Sequence, residues 1–561
     1  MNAHAGTLGD IAEEVWQALV ERDPYMATTA GLRPSQYPRG DLAEAEAVAA
    51  NARERLARLK HIDSSQLDRT ERLTLAHLRY WLENEACEPS RWWTGFGVTP
   101  YSMSIFSIMP QMLFPGIDLE DAAEAERYLA LAEGYVLAVV ALRDRLIAQA
   151  DIGWRLPRPA IGCGRNTIDE IAAAAAASID LEPNRKVSPE VRAHIKALVE
   201  TRLRPAFAEL RATLDDEYER LAPEEAGMCH QPDGIDAYRN WVRYHLSYDA
   251  DPSKIHDVGL AEVANLAEAM KRVRVEAFDH SGNEASFHSR LRNDSRAKVA
   301  TAEELEATYK RHLARMELVF AGLVRKAPRA AARIQRLAPA LEAGMTFGYY
   351  EPPPTPGADG IYHYSGNGIP DRMQLNAAPL IFHELVPGHH IAIARQSEND
   401  ALPDLRRRTF SLSAFNEGWA EYSAGLAEEA GLYDDPYDLY GWLAHQRFVA
   451  QRLVVDTGLN FYGWPLERAR AYMRANTMES DAQIASETLR YATDMPGQAL
   501  AYRMGFLKFR EIRERIRDRL GEDFDLADFH EAILDQGSLP LEVLEDAFDS
   551  WDGEREPAAS T

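Results

Sequence analysis

The chain has 561 residues, of which 46% are hydrophobic and 27% charged, a composition typical of a globular protein with more than one lobe. With 88 acidic and 62 basic residues it carries a net charge of −26, which disfavours binding to nucleic acid or to anionic membranes. The three cysteines form no C-x-x-C pair, so neither a disulfide framework nor a cysteine-type zinc site is expected.

The first ten residues lack the basic region and apolar run of a signal peptide, and no uncharged apolar stretch of about 18 residues occurs anywhere. We therefore expect a cytoplasmic protein that does not associate with membranes. Its expected partners are short peptides or small-molecule substrates, and a homodimer is a candidate assembly.

Most of the sequence predicts helix. Two segments, Asp41–Glu44 and Thr301–Glu304, resemble capping boxes and open helices that run to about Lys60 and Lys326. The alanine run Ala172–Ala177 indicates a helix packed closely against a neighbour. Further helical runs are predicted at 119–150, 188–220, 252–277, 404–430, 436–457 and 497–520.

Strand signals are few. Short aromatic segments predict strands at Met345–Tyr350 and Ile361–Tyr364, and a third is predicted at Met373–Asn376. Loop-rich zones are expected at 87–118 and 351–371. The predicted fold class is mainly α, a multi-helical two-lobed body with a central cleft and a small embedded β-sheet. We place a helical N-terminal lobe at 1–340 and a catalytic lobe at 341–561, joined in one continuous fold.

The segment His383–His390 carries the strongest chemical signal. It reads His-Glu-Leu-Val-Pro-Gly-His-His and follows an apolar run that predicts a buried helix. A His-Glu pair on a helix with a second histidine downstream is the arrangement of zinc peptidases, whose usual form is H-E-x-x-H.

The second histidine is displaced from its usual position here, because Pro387 stands four residues after His383 and has no ligand atom. Proline and Gly388 make a regular helix improbable at this point. A distorted turn would bring either His389 or His390 back towards His383. We favour His389 and keep His390 as the alternative.

A third ligand is expected from the next strong helical run, where Glu417 and Glu421 lie four residues apart on one face. Together His383, His389 and Glu417 would hold one zinc ion with an open position for water. Glu384 is then placed to take a proton from that water as the general base.

Other residues are candidates for contact with substrate. Tyr502 is the first candidate for stabilising an oxyanion through its hydroxyl, and Tyr491 is the second. Arg490 is a candidate for binding a substrate carboxylate, as is Arg503. Gln498 belongs to the same candidate substrate-binding set.

Further predictions concern two polar residues and one possible ion pair. Asn376 ends a predicted edge strand that would pair with an extended substrate. Arg452 and Asp456 are four residues apart on a helix and are interpreted as a structural ion pair, and His530 is interpreted as a packing or hydrogen-bonding residue.

Several separate motifs resemble the bacterial domain of unknown function 885 family, itself similar to helical zinc peptidases such as carboxypeptidase Taq and angiotensin-converting enzyme. The matching segments, in the family's order, are His383–His389, Asn416–Glu421, Arg452–Gly458, Arg490–Tyr491, Pro496–Tyr502 and Gly537–Leu541. The resemblance implies a helical body with a deep cleft and a metallopeptidase that acts on short peptides as a carboxypeptidase or oligopeptidase. It also leads us to expect a histidine where Asn460 stands.

Two other functions are compatible with these residues. One is a metal-dependent hydrolase of a non-peptide amide or ester, and the other is a non-catalytic binding protein on a degenerate peptidase scaffold. No G-x-S-x-G elbow or phosphate-binding G-x-x-x-x-G-K-[ST] loop is present to favour another chemistry.

Overall fold

The computed structural model describes residues 3–342, 348–369, 372–549 and 551–553. Helices hold 69% of the residues and strands 3%, which confirms a mainly α fold with a small sheet. The helices of the N-terminal part are α1 (Ala3–Arg22), α2 (Pro24–Thr29), α3 (Leu42–Leu59), α4 (Arg69–Ala86), α5 (Glu88–Thr94), α6 (Ser104–Leu113), α7 (Ala122–Asp151), α8 (Arg158–Ile179), α9 (Pro189–Leu198), α10 (Arg204–Ala212), α11 (Asp216–Leu221), α12 (Gly234–Leu246), α13 (Pro252–Glu276), α14 (Glu284–Arg292) and α15 (Ala302–Leu323).

The remaining helices follow the first strand. They are α16 (Pro339–Glu342), α17 (Ala377–Glu384), α18 (His389–Ser397), α19 (Asp404–Arg408), α20 (Ser413–Glu429), α21 (Pro436–Asn460), α22 (Leu466–Asn476), α23 (Asp481–Leu489), α24 (Leu500–Leu520), α25 (Leu526–Leu534) and α26 (Leu541–Asp549). Two π-helical turns, Val199–Leu203 and Arg490–Asp494, continue α9 and α23. Short 3₁₀ turns occur at Ser64–Gln66, Met228–His230, Ser295–Ala297 and Gly521–Asp523.

The helix starts follow from side-chain capping. The carboxylate of Asp41 accepts the backbone N–H of Glu44, as predicted, while the carboxylate of Glu44 accepts from Gly40 rather than from Asp41. At Thr301–Glu304, likewise, the Thr301 hydroxyl accepts the backbone N–H of Glu304, and the Glu304 carboxylate accepts from Ala300 rather than from Thr301. A complete capping box closes on Asp68 at the start of α4.

Two predicted helical runs and one predicted loop zone differ from the structure. The run predicted at 188–220 is interrupted at Thr213–Asp215, between α10 and α11. The run predicted at 404–430 is divided into α19 and α20, because Thr409–Leu412 takes an irregular path. The zone 87–118, predicted as loop, contains α5 and α6. The alanine run is helical, as predicted, inside α8.

The sheet has three strands, β1 (Ala332–Arg336), β2 (Gly348–Glu351) and β3 (Gly360–Tyr364), in the order β1-β3-β2. β3 pairs in parallel with β1 and antiparallel with β2. β1 is absent from the sequence predictions, whereas β2 and β3 match two of them. Residues 345–347 of the first predicted strand lie outside the described residues.

The predicted strand Met373–Asn376 is wrong. Met373 forms only a single antiparallel bridge with Lys298, and the next residues turn into α17. The reason is local: the Gln374 backbone N–H donates to Ala297 and its side chain donates to Lys298, so the segment ends after one bridge.

The largest hydrophobic core runs from Tyr37 to Trp551 and includes residues on both sides of position 340, among them Tyr309 and Phe382. The packing is therefore continuous across the predicted boundary, and the division into 1–340 and 341–561 stays a prediction. Among the described residues, no helix is both long and apolar enough to cross a membrane.

Candidate metal centre

A tight turn brings the two halves of the histidine motif together. α17 ends at Glu384 and α18 begins at His389, so the motif spans two helices. Gly388 lies so close to the end of α17 that a Cβ atom there would be 1.9 Å from the carbonyl oxygen of His383. Only glycine fits such a contact with backbone. The predicted distortion at Pro387 and Gly388 is therefore confirmed.

Helix α20 holds this turn through two hydrogen bonds. The indole N–H of Trp419 donates to the carbonyl oxygen of Pro387 at 3.0 Å, and the Ser423 hydroxyl donates to the same oxygen at 3.3 Å. The helix that carries Glu417 is thus fixed directly to the turn that carries the histidines.

Three donor atoms converge beside the turn. His383 Nε2 lies 3.5 Å from Glu417 Oε2, and His389 Nε2 lies 3.4 Å from the same oxygen. The two imidazole rings are nearly perpendicular, with centroids 4.7 Å apart. Burial would raise the pKa of Glu417, but hydrogen bonding and charge from the two histidines outweigh burial and lower this pKa. The structure brings these predicted residues together.

The donor set fits a zinc ion. Ligand atoms that are each about 2.0–2.1 Å from a tetrahedral zinc lie about 3.4 Å from one another. The three donors of His383, His389 and Glu417 all lie within 4.8 Å of one another, and two of the separations are 3.4 and 3.5 Å. Two imidazoles and one carboxylate are the protein ligands of a catalytic zinc site with one open position.

His390, the alternative ligand, faces away from this cluster. Its Nδ1 lies 3.0 Å from the hydroxyl of Tyr350 on β2, and its Nε2 lies 3.1 Å from the carbonyl oxygen of Ala330. Both ring nitrogens therefore contact the sheet region, and the geometry favours His389.

A second polar layer lies behind His383. Glu421 Oε1 is 3.2 Å from His383 Nδ1, and the fully buried Glu421 carboxylate also accepts from His445 Nε2 at 2.9 Å and Gln446 Nε2 at 2.8 Å. Burial opposes ionisation of Glu421, but the neighbouring histidines lower its pKa well below the ordinary value. A carboxylate behind a metal-binding histidine fixes the orientation of its ring.

His445 is not identified by any sequence pattern. It lies on α21, and no local spacing relates it to the histidine motif. The sequence marks Glu421 only as the neighbour of Glu417 one turn away. Only the packing of α20 and α21 against α17 reveals that both residues lie near His383.

Glu384 lies at the end of α17 and is half-buried. Burial raises the pKa of its carboxyl group. The charge of Glu384 contributes to raising the pKa values of Tyr309, Tyr350 and Tyr362, so it faces an aromatic wall that includes two strand residues. This carboxylate has no hydrogen-bond partner among the described residues.

Tyr502, on α24, stacks beside His383 with ring centroids 6.4 Å apart and an interplanar angle of 13°. Burial, followed by the charge of Glu417, raises the pKa of Tyr502 to about 12, and a hydrogen bond with Gln498 acts in the opposite direction. The phenol therefore keeps its proton at neutral pH and is available as a donor next to the His383–His389–Glu417 cluster.

Arg490 and Gln498 are neighbours of Tyr502. Arg490 Nη2 donates to Gln498 Oε1 at 2.7 Å, which joins the two predicted substrate-binding residues. Tyr491 is different, because it is fully buried and its hydroxyl bonds to Glu487 and to Arg452 Nε. Its contacts are internal, and the structure does not place it at the surface of the site.

The predicted ion pair between Arg452 and Asp456 is wrong. Arg452 pairs instead with Glu487, at 3.3 Å. Asp456 accepts a hydrogen bond from the Tyr238 hydroxyl at 2.6 Å and others from Asn460 and from the backbone N–H of Gly497. Four-residue spacing places the two side chains on one face of α21, but each forms its hydrogen bonds or ion pair with residues distant in sequence.

The remaining predicted residues, Asn376, Arg503 and His530, lie within helices or at the start of one. Asn376 is half-buried at the start of α17 and ends no strand. Arg503 is engaged by Glu262 and Gln446. His530 is buried with one ring nitrogen 2.8 Å from the Tyr422 hydroxyl, which confirms its interpretation as a hydrogen-bonding residue.

Asn460, at the position where the resemblance suggests histidine, is fully buried. Its amide nitrogen donates to Asp456 and to the carbonyl oxygen of Tyr491, and its amide oxygen accepts from the backbone N–H of Met228 at 3.0 Å. These contacts join α21 to two other segments. The residue therefore has a packing role in this chain.

Comparison with curated proteins finds no match. Among solved structures, a lipoprotein candidate from Colwellia psychrerythraea is 24% identical with a TM-score of 0.86, and the match covers 98% of this chain and 99% of that one. A lipoprotein candidate of unknown function from Shewanella oneidensis is 17% identical with a TM-score of 0.76, over 97% and 99% of the two chains. These likenesses show a shared fold.

A third structure, described as "PZ PEPTIDASE A with inhibitor 2", is 13% identical with a TM-score of 0.29, over 92% of this chain and 99% of that one, which is too low to support an argument. The family described as "Bacterial protein of unknown function (DUF885)" matches residues 24–548. The chain therefore belongs to the DUF885 family.

Proposed function

We propose that this protein is a zinc-dependent peptidase that hydrolyses short peptides. The observation that carries the proposal is the cluster of His383, His389 and Glu417, in which two of the three donor separations match those of a tetrahedral zinc site. Its position beside the unpaired carboxylate of Glu384 supports a catalytic rather than a purely structural ion.

A bound zinc ion would supply a Lewis acid and lower the pKa of a coordinated water towards about 7. Glu384 is the general base in this proposal, because it adjoins the first ligand on the same helix. Tyr502 donates its phenolic proton in a hydrogen bond to the oxygen that becomes negative. Glu421 keeps His383 oriented through the ring nitrogen that faces away from the ion.

The proposal of a peptide substrate is supported by the match of the site to the residue set of zinc peptidases. The geometry of the ligands alone would serve an amide or ester hydrolase equally well. A substrate panel separates these activities, because a peptidase hydrolyses unmodified peptides and the other enzymes do not.

The first experiment is to measure metal content by elemental mass spectrometry on untagged protein purified without chelator or added metal. About one zinc per chain is expected, and less than one tenth of that in His383→Ala and His389→Ala. His390→Ala is the matched control and should retain zinc. Protein that holds no metal even after incubation with zinc and dialysis would refute the proposal.

A further inference from the structure

A cavity of about 770 Å³ lies between the N-terminal helices and residues near the start of α20 and α24. This volume is in the range of small-molecule binding sites, roughly 300–1,000 Å³. Its lining is rich in aromatic side chains, namely Trp92, Phe96, Tyr101, Trp241 and Tyr244. Such walls favour contact with a flat apolar ring.

The cavity reaches segments that continue to the His383–His389–Glu417 cluster, although none of these three residues lines it. Ser413, which lines the cavity, begins α20, and Glu417 follows one turn later on the same face. Pro496 also lines the cavity, and Gln498 and Tyr502 follow it in the chain. Helix α20 and the segment that enters α24 therefore run from the cavity wall towards the cluster.

Arg490 lies at the junction between the two regions. Its guanidinium carbon is 5.2 Å from the centroid of the Tyr101 ring in the cavity wall, and its Nη2 donates to Gln498, the partner of Tyr502. The side chain is 11% exposed, and its Nε has no hydrogen-bond partner among the described residues. The guanidinium group can form further charge-assisted hydrogen bonds to a carboxylate supplied by a ligand.

Charges of both signs surround this region, since the cavity lining includes five carboxylates and three arginines. Arg452 and Arg490 share one carboxylate within ion-pair distance, that of Glu487, at 3.3 and 3.5 Å. Glu479 and Asp494 also face these arginines, and burial raises the pKa of each. Within ion-pair distance, however, the two guanidinium groups have only the carboxylate of Glu487 among the described residues, so a ligand carboxylate could add a second close partner.

We propose that Arg490 and this cavity form the subsite for an aromatic amino-acid residue that carries a free carboxylate, so that the substrates are peptides ending in an aromatic residue. This inference rests on the proposed function. The guanidinium binds the terminal carboxylate, and the aromatic side chain lies against the cavity wall.

In the hydrolysis that follows, water adds its oxygen to the carbonyl carbon of the last peptide bond and the C–N bond breaks. The leaving nitrogen takes a proton, and the products are a shortened peptide acid and a free aromatic amino acid. No oxidant or further reactant is required.

The test measures binding of product analogues by calorimetry. The probes are N-acetylphenylalanine, N-acetylphenylalaninamide, N-acetylalanine and N-acetylalaninamide, titrated into the protein as purified and again after chelation, which removes direct binding of carboxylate to a metal. We expect N-acetylphenylalanine to bind at least about 10-fold more tightly than each of the other three. Equal affinities for the acid and the amide would overturn the inference, and this comparison needs no variant.

Variants test which residue recognises the carboxylate and which recognises the aromatic ring. Arg490→Gln should abolish the preference for acid over amide, whereas Trp241→Leu should reduce the preference for phenylalanine over alanine and keep the preference for acid. Arg470→Gln, a control outside the cavity lining, should bind all four probes as wild type does. A preference for acid that survives in folded Arg490→Gln protein would contradict the assignment.

The same experiment separates this inference from the proposed function. If the four affinities differ as expected but no peptide is hydrolysed, the subsite stands and the peptidase proposal fails. If peptides are hydrolysed without regard to a terminal carboxylate or an aromatic end residue, the subsite is wrong and the peptidase proposal stands.

Discussion

Gly418 and Gly505 bring α20 and α24 into backbone contact: a Cβ atom on Gly418 would lie 2.5 Å from the Cα atom of Gly505. Glu417 precedes the first glycine, and Tyr502 is three residues before the second. The close crossing of these helices therefore sets the distance between a proposed metal ligand and a proposed oxyanion donor.

Replacing Gly418 with alanine should force the two helices apart, because the obstructing atoms are backbone and cannot rotate away. We expect a loss of about 1–3 kcal/mol in the free energy of unfolding and weaker zinc binding, measured by thermal unfolding and by competition with a chromogenic chelator. Gly322→Ala is the control, since a Cβ atom there meets nothing within 4 Å. A Gly418→Ala protein as stable as wild type would contradict the packing.

Glu384→Gln should keep the shape of the site and its metal while it removes the base. Peptide hydrolysis should fall by about 10²–10⁴-fold with the zinc content unchanged. Glu317→Gln, an exposed change on α15, should leave both properties at wild-type values. Undiminished turnover in Glu384→Gln would exclude this residue as the base.

Glu421→Gln should weaken zinc binding by about 10–100-fold, because the neutral amide no longer holds the His383 ring by charge. The measurement is a zinc titration against a competing chelator. Glu428→Gln, an exposed position seven residues later on the same helix, provides the comparison. Identical zinc affinities for the two variants would show that Glu421 does not orient the ligand.

The buried Asp456 should make stability depend on pH. Burial raises its pKa from 3.8 to about 7, although the Tyr238 hydroxyl and other donors act against this shift. Because the folded-state pKa is the higher one, its contribution to stability is complete below about pH 4 and is lost as the pH rises towards 7.

Relative to Asp456→Asn, wild-type protein should therefore lose about 2 kcal/mol of stability between pH 5.5 and pH 8. Chemical denaturation of both proteins at the two pH values measures the difference. Stability differences that are the same at both values would show that Asp456 does not ionise in this range in the folded protein.

Much of the candidate site could be predicted because its chemistry is concentrated in a short stretch of sequence. His383, Glu384, His389 and Glu417 lie within 35 consecutive residues, and the unusual residues between the histidines, Pro-Gly, themselves indicated a turn. The choice between His389 and His390 needed the structure, because it depends on which imidazole ring contacts Tyr350 and Ala330 in the sheet region.

Partners from distant segments could not be predicted in this way. His445 reaches Glu421 from another helix, and Arg452 pairs with Glu487 rather than with Asp456, its neighbour one turn away. Spacing along a helix shows which residues share a face, but it does not show what packs against that face.

The mainly α fold followed from helical periodicity and capping residues, whereas the sheet was harder to predict. β1 reads Ala-Arg-Ile-Gln-Arg with most of its side chains exposed, so it lacks the apolar run of a buried parallel strand. Met373–Asn376 has a strand-like alternation, yet the side chain of Gln374 ends the pairing after one bridge.

The hydrogen bonds from Trp419 and Ser423 to Pro387 also bear on how the protein would gain and lose the proposed zinc ion. They hold the two histidines and the Glu417 helix in register through protein contacts alone, so the entropy of ordering the donors is lost during folding and not when the ion arrives. Such a chain would stay folded when stripped by a chelator and would reload without refolding. Its activity could then rise and fall reversibly with the zinc concentration. The metal-free protein would remain folded and able to bind zinc again.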